Sequence, residues 1–272
     1  MDFEFGQSDK AEAFFDRHPK FWEAFDRMMT VSNKCFGRRC DYTNQAEALM
    51  FSLGQTCRED FLEIVFLAVH GFSTGATKLL RGLYERAVTH AYIIQHPEKV
   101  MQFIRFGAIQ EYRVMKGALE AGVSEKDFNE RMTPENSIEK ITERRNQVKE
   151  EFKVKECDVC GMEAPPSWDK QSIGAMARKA GDLYKALYLG GYAMTNLHIH
   201  ATFTSAVYLE DTDKKTAEAI REREAHANIG QAFALLYLVL KEQNGLFNLG
   251  LEQDLEAVEK SIALEWFEKE PG

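Results

Sequence analysis

The sequence predicts an all-α fold, a helical bundle without a central sheet. Three observations carry that expectation: apolar residues recur at helical spacing, prolines stand at the starts of helical segments, and convincing strand alternation of apolar and polar residues appears almost nowhere. At 272 residues, 44% hydrophobic and 28% charged, the chain has an ordinary globular composition and is long enough to bury a substantial core. It reads as a single domain, 1–272.

Residues 8–33 read as helices. A helix near 45–70 stops at Gly71, and Ser73 or Thr74 caps the next, over 74–95; so short a connection makes the two antiparallel neighbours. Pro97 opens a helix over 98–121, where a first-turn proline costs no hydrogen bond. Thr133 and Pro134 repeat that arrangement as cap and first residue inside a stretch read as helical over 124–152, with Glu135 near the positive helix end. Residues 122–168, charged and proline-interrupted, are expected to form a helical arm inserted into the core. Helices are then expected over 169–208, weakened near Gly190 and Gly191, over 213–243 and over 251–268.

Composition excludes several function classes. The longest strongly apolar run, "AFALLYLVL" at 232–240, is about half a membrane span. The opening "MDFEFGQSDK" lacks the basic region and apolar core of a secretion signal, so a cytoplasmic location is expected. A net charge of -9 argues against an extended duplex DNA interface, while leaving room for a few arginines at one pocket. The five cysteines are expected to be free thiols. Cys157 and Cys160 have metal-like spacing, and Cys35 and Cys40 would complete a four-thiolate zinc site if the pairs met. The expectation is no stoichiometric zinc, no cofactor and no metal at the site.

Two segments carry groups able to do chemistry. In "GATKLLRGLYERAVTHAYII", residues 75–94, Leu80, Leu83, Ala87, Ala91 and Ile94 form an apolar face, and Lys78, Arg81, Glu85 and Tyr92 lie on the other side. Arg81 and Glu85, four apart, would make an intrahelical ion pair worth about 0.2–0.5 kcal/mol on a solvated face. In "DLYKALYLGGYAMTNLHIHATF", residues 182–203, Tyr184, Tyr188, Tyr192, Asn196 and His200 follow at a spacing of four. Each such step overshoots a helical turn by about 40 degrees, so Tyr192, Asn196 and His200 share one patch whereas His198 faces elsewhere. Arg81 and Glu85 are expected to face Asn196 and His200, with a hydroxyl from Tyr188 or Tyr192, because two polar ridges satisfy each other's hydrogen bonds when buried together.

"LLRGLYE", a later "SW" and Tyr188-x3-Tyr192-x3-Asn196-x3-His200 together resemble an uncharacterised bacterial all-helical family. Its pattern is an Arg-x3-Glu helix followed by a Tyr-x3-Tyr-x3-Ser-x3-His helix, with serine usual where Asn196 stands. The resemblance spans roughly residues 60–208 and implies an all-helical fold with no established activity. More distantly, "TNLHIH" is similar to the Arg-polar-x3-His motif of the HEPN (higher eukaryotes and prokaryotes nucleotide-binding) superfamily. Active members are metal-independent ribonucleases of bacterial conflict systems and often dimerise through the motif helices.

That resemblance implies a HEPN-like core, a homodimer, and RNA or a nucleotide as ligand. His200 would be the acid/base, Asn196 an orienter, Arg81 a phosphate clamp and Glu85 its neighbour, with Tyr188, Tyr192, Lys78 and Arg86 lining the substrate. Thr195 stands where the motif has arginine, so Arg81 or Arg86 would supply the cation. The alternative is a non-catalytic helical regulatory or interaction protein that keeps the motif helix for packing. A metal-dependent hydrolase using Glu85, His198 and His200 is disfavoured by the i,i+2 histidine spacing.

Overall fold

The computed structural model describes residues 8–38, 42–153, 167–199 and 213–267. Among them every regular element is helical, so the fold is all-α. The chain opens with α1 (Ser8–Arg17) and α2 (Phe21–Phe36). α3 (Gln45–Val69) begins at Asn44, whose side chain accepts from the Glu47 backbone N–H at 3.0 Å, and the Glu47 carboxylate reaches back to the Thr43 backbone N–H at 2.9 Å. These reciprocal bonds satisfy donors that a helix start otherwise leaves open. α3 ends at Gly71, which adopts a φ of 81° while the Phe72 N–H closes onto the Leu67 carbonyl at 2.8 Å. Glycine is suited to that left-handed position because it has no Cβ. α4 (Ser73–Gln95) then runs back along α3.

Residues 96–172 form a compact unit of their own. After a 3-10 turn at Pro97–Lys99 come α5 (Val100–Glu120), α6 (Glu125–Arg131) and α7 (Ile138–Val148). One helix over 124–152 does not form: Thr133 and Ser137 are both extended, and Pro134 opens a separate 3-10 turn between α6 and α7. Met115, Phe128 and Ile141 make the core of this unit. Arg144 ties α7 to α5 through Glu111 at 2.8 Å.

The other unit comprises residues 1–95 and 173–272. It adds α8 (Ile173–Ala180), α9 (Asp182–Ala186), a π-turn at Leu189–Ala193 and α10 (Asn196–Ile199). α11 (Lys214–Phe247) starts on the Asp213 side chain, which accepts from the Thr216 N–H at 3.1 Å, and α12 (Glu252–Ile262) leads into a final π-turn at Ala263–Phe267. Among the described residues the expected long helix over 169–208 is thus interrupted rather than continuous. Gly181, at φ 141°, separates α8 from α9, and the π-turn falls on the paired glycines.

α3, α4 and α11 form the heart of this unit, where Phe61, Leu80, Leu83, Ile229, Phe233 and Leu236 are fully buried. Removing each such side chain from water stabilises the fold by about 1.5–3 kcal/mol before conformational entropy is subtracted. Two polar contacts cross this apolar interior. Asn228 of α11 donates to the Ser73 carbonyl at 3.0 Å and to Thr77 Oγ1 at 2.9 Å. Toward the other end, Gln243 donates to the Met50 carbonyl at 2.8 Å and lies 2.8 Å from His90 Nε2, while His90 Nδ1 meets Glu242 at 2.7 Å. With Nε2 accepting from Gln243, His90 carries its proton on Nδ1 and donates it to Glu242.

Candidate functional site

The tyrosine ridge lies antiparallel along α4. Gln95 donates to the Ala180 carbonyl at 3.1 Å, Tyr84 to the Tyr184 carbonyl at 2.7 Å, and Arg81 Nη2 to the Tyr192 hydroxyl at 3.3 Å, so the ridge advances as α4 recedes. α10 then packs against the same helix.

The glycines permit this approach. A Cβ on Gly191 would stand 2.9 Å from Tyr84 Cδ2, and one on Gly190 would stand 2.6 Å from Gln231 Oε1. The π-turn closes with the Met194 N–H on the Leu189 carbonyl at 3.0 Å. An i→i+5 turn takes more residues per revolution than an α-helix, so a step of four falls short of a full turn and offsets the overshoot of an α-helical step. The rings of Tyr188 and Tyr192 are consequently neighbours, with centroids 5.5 Å apart. Tyr84, fully buried, completes the cluster at 6.2 Å from Tyr188 and 5.9 Å from Tyr192.

Arg81 is held on three sides. Its guanidinium carbon is 4.8 Å from the centroid of the Tyr192 ring, and Nη2 reaches both the Tyr192 hydroxyl at 3.3 Å and Glu85 at 3.1 Å. Its Nε is buried and has no hydrogen-bond partner among the described residues. A quarter of the side chain is exposed, as is 35% of Glu85. The result is a cation oriented by an aromatic face and a carboxylate and still open to solvent, an arrangement suited to an anionic ligand. Lys78, exposed, lies one turn before Arg81 on α4.

The remaining expected residues are placed differently. Arg86 is turned toward α3, where Nε and Nη2 each donate to Asp60 at 2.6 Å. Burial pushes the Asp60 carboxyl up, opposed by the Arg86 guanidinium. Asn196 begins α10 and is half-buried. Thr195, at the position of the motif arginine, is buried and donates its hydroxyl to the Tyr192 carbonyl at 2.7 Å. His200 lies outside the described residues, as do Cys40, Cys157 and Cys160. Among the described residues no group of three or more His, Cys, Asp or Glu side chains is placed to hold a metal.

Beneath the ridge lies a buried chain of polar groups that sequence spacing does not reveal. The Tyr184 hydroxyl donates to Glu242 at 2.8 Å, the carboxylate that also takes His90. Burial, then the Glu242 charge, raises the Tyr184 phenol well above its ordinary range; burial, then Tyr188, does the same for Tyr84. Both tyrosines are therefore protonated donors rather than bases. Tyr84 stands in the quoted "LLRGLYE", but Glu242 is 58 residues from Tyr184 and no local pattern joins them.

A family model matches residues 47–216, more than half of the chain. The chain belongs to the family of unknown function DUF5677. No curated protein and no solved structure matches it. The DUF5677 span contains Arg81, Glu85, Tyr188, Tyr192, Asn196 and His200, so both motif-bearing segments lie within it. Glu242 and Gln243, which anchor the buried chain beneath the ridge, lie beyond it.

Proposed function

We propose that Arg81 and the facing ridge form a phosphate-recognising site for RNA or a nucleotide on a HEPN-like helical core. The observation that carries this reading is the Arg81 guanidinium, oriented by Glu85 and Tyr192 and still partly exposed, on the helix that packs against the Asn196 segment. In this reading Lys78 and Arg81 take the phosphate, Tyr188 and Tyr192 line the ligand, Asn196 orients it, and His200 exchanges a proton with the 2′-hydroxyl. A cation on the phosphate and an imidazole near the ribose are a sensible minimum for metal-independent RNA cleavage. The protein would then be a cytoplasmic endoribonuclease of a bacterial conflict or stress system. Homodimerisation through the ridge is supported by Leu183, Leu189 and Met194, exposed by 60%, 64% and 52% along that segment.

The buried, locally bonded Thr195 favours a second reading, a non-catalytic regulatory protein in which the motif helix serves packing. Arg81→Ala and His200→Ala, tested separately, distinguish the two. The measurements are cleavage of labelled single-stranded RNA in a chelator, nucleotide binding by calorimetry, and urea stability. Lost binding or cleavage with folding retained in both variants supports the site. A parent that neither binds nor cleaves, with both variants unfolded, sinks it.

A further inference from the structure

At the end of the described chain, the Ala263–Phe267 turn closes over a pair of histidines. His18 occupies the corner between α1 and α2, where its backbone N–H reaches the Phe14 and Phe15 carbonyls at 3.0 and 3.2 Å. His226 projects from α11, and the two imidazoles stack with centroids 5.1 Å apart and planes 24° from parallel. The turn lays Trp266 against both rings, 5.1 Å from His18 and 4.9 Å from His226, and places Glu265 Oε1 2.7 Å from His18 Nδ1. Glu265 also accepts the Lys20 backbone N–H. Only 14% of the His18 side chain and 5% of the Glu265 side chain are exposed.

The charged and titratable groups around the pair are few. Arg17 and Lys20 come from the α1–α2 corner and Glu265 from the turn, and Arg17 is itself paired with Glu222 of α11 at 3.2 Å. One carboxylate therefore serves two stacked imidazoles with cations beside them. A second proton on the pair would set two like charges face to face in a largely dry site.

We propose that the Ala263–Phe267 turn is an acid-released latch, closed over the neutral His18–His226 pair and opened when the pair takes up protons. Burial, then Arg17, holds His18 below the ordinary imidazole range, and burial, then His18, does the same for His226. The open form thus binds protons more readily than the closed one, and closure weakens as pH falls through about 6.5. Glu265 works in the opposite sense. Burial pushes its carboxyl up, so protonation there favours the closed form at lower pH. Two imidazoles act against one carboxylate, so over the range below the free imidazole value opening takes up protons and lower pH favours the open form.

The test is hydrogen–deuterium exchange of the whole chain, read on peptides covering residues 252–267 at pH 7.5 and 5.5 and corrected for the intrinsic pH dependence of exchange. The parent is expected to open at least several-fold more readily at the lower pH, with α3 protection unchanged, and the His18→Gln/His226→Gln variant is expected to lose that opening and keep only the opposite response of Glu265. A parent without that change, or a variant that keeps it, overturns the latch. Should the variant fail to fold, NMR titration of the parent decides: both rings titrating below 6.5 supports the proposal, and both at or above it overturns it.

Discussion

The Tyr84 hydroxyl donates at 2.7 Å to the main-chain carbonyl of Tyr184, 100 residues away in the chain, and fastens α9 to α4 from within the core. Tyr84→Phe keeps the ring against Tyr188 and Tyr192 and removes only the donor. Leaving that carbonyl unpaired is expected to cost about 1–3 kcal/mol. The measurement is a lower urea midpoint with unchanged slope; a midpoint equal to the parent's would show that the bond adds nothing.

The paired glycines of the π-turn make a graded prediction. Gly191→Ala drives a methyl to 2.9 Å from the Tyr84 ring, which is fully buried and cannot yield, and is expected to destabilise by about 1–3 kcal/mol. Gly190→Ala meets only the end of the flexible Gln231 side chain and should cost less. Thermal unfolding of the two variants gives the order directly, and the reverse order would contradict the packing described.

Asp60 and Arg86 predict a coupled loss. Arg86→Met strands a buried carboxylate and is expected to cost about 3–5 kcal/mol at neutral pH, whereas Asp60→Asn/Arg86→Met should cost clearly less. Asp60 already sits above its ordinary range through burial, and without Arg86 it rises further. A raised folded value means the folded form binds the proton better, so the Arg86→Met deficit should shrink as pH falls toward the carboxylate range. Urea titrations at pH 7.5 and 5 check both the cycle and the sign.

The thiols predict an absence. Cys35 is buried in α2 and burial pushes its thiol up to about 12, which opposes the thiolate that zinc requires. Purified protein is expected to contain no stoichiometric zinc, and a chelator should leave the melting temperature unchanged. One zinc per chain by elemental analysis would contradict this.

Where structure follows from adjacent residues, the sequence was legible. Gly71 marked the end of α3, Asp213 stands immediately before α11, and the Arg-x3-Glu and Tyr-x3-Tyr patterns pointed to the contact between Arg81 and the Tyr192 hydroxyl. The reading failed where a local choice depends on distant neighbours. Gly190 and Gly191 signalled a weak point, but its i→i+5 closure accompanies Tyr84 and Gln231 pressing on them. Pro134 was recognised as a helix start without its corollary, the extended Thr133 and Ser137 that separate α6 from α7. Arg86 looked like a ligand group because its partner Asp60 lies 26 residues earlier on another helix.

Two of the polar contacts between α4 and α11 have a consequence for chain length. Thr77 and His90 mark two points on α4, and Asn228 and Gln243 mark the matching points on α11. The intervals between them, about 20 and 22 Å at helical rise, act as a pair of rulers read against each other. Adding or deleting one residue inside either interval would swing the far mark by about 100 degrees and strand buried polar groups in the apolar interior. The core therefore counts residues between these marks. Insertion or deletion is then expected to be tolerated only outside these marks, as in the separate unit at 96–172, which lies after His90 and before Asn228.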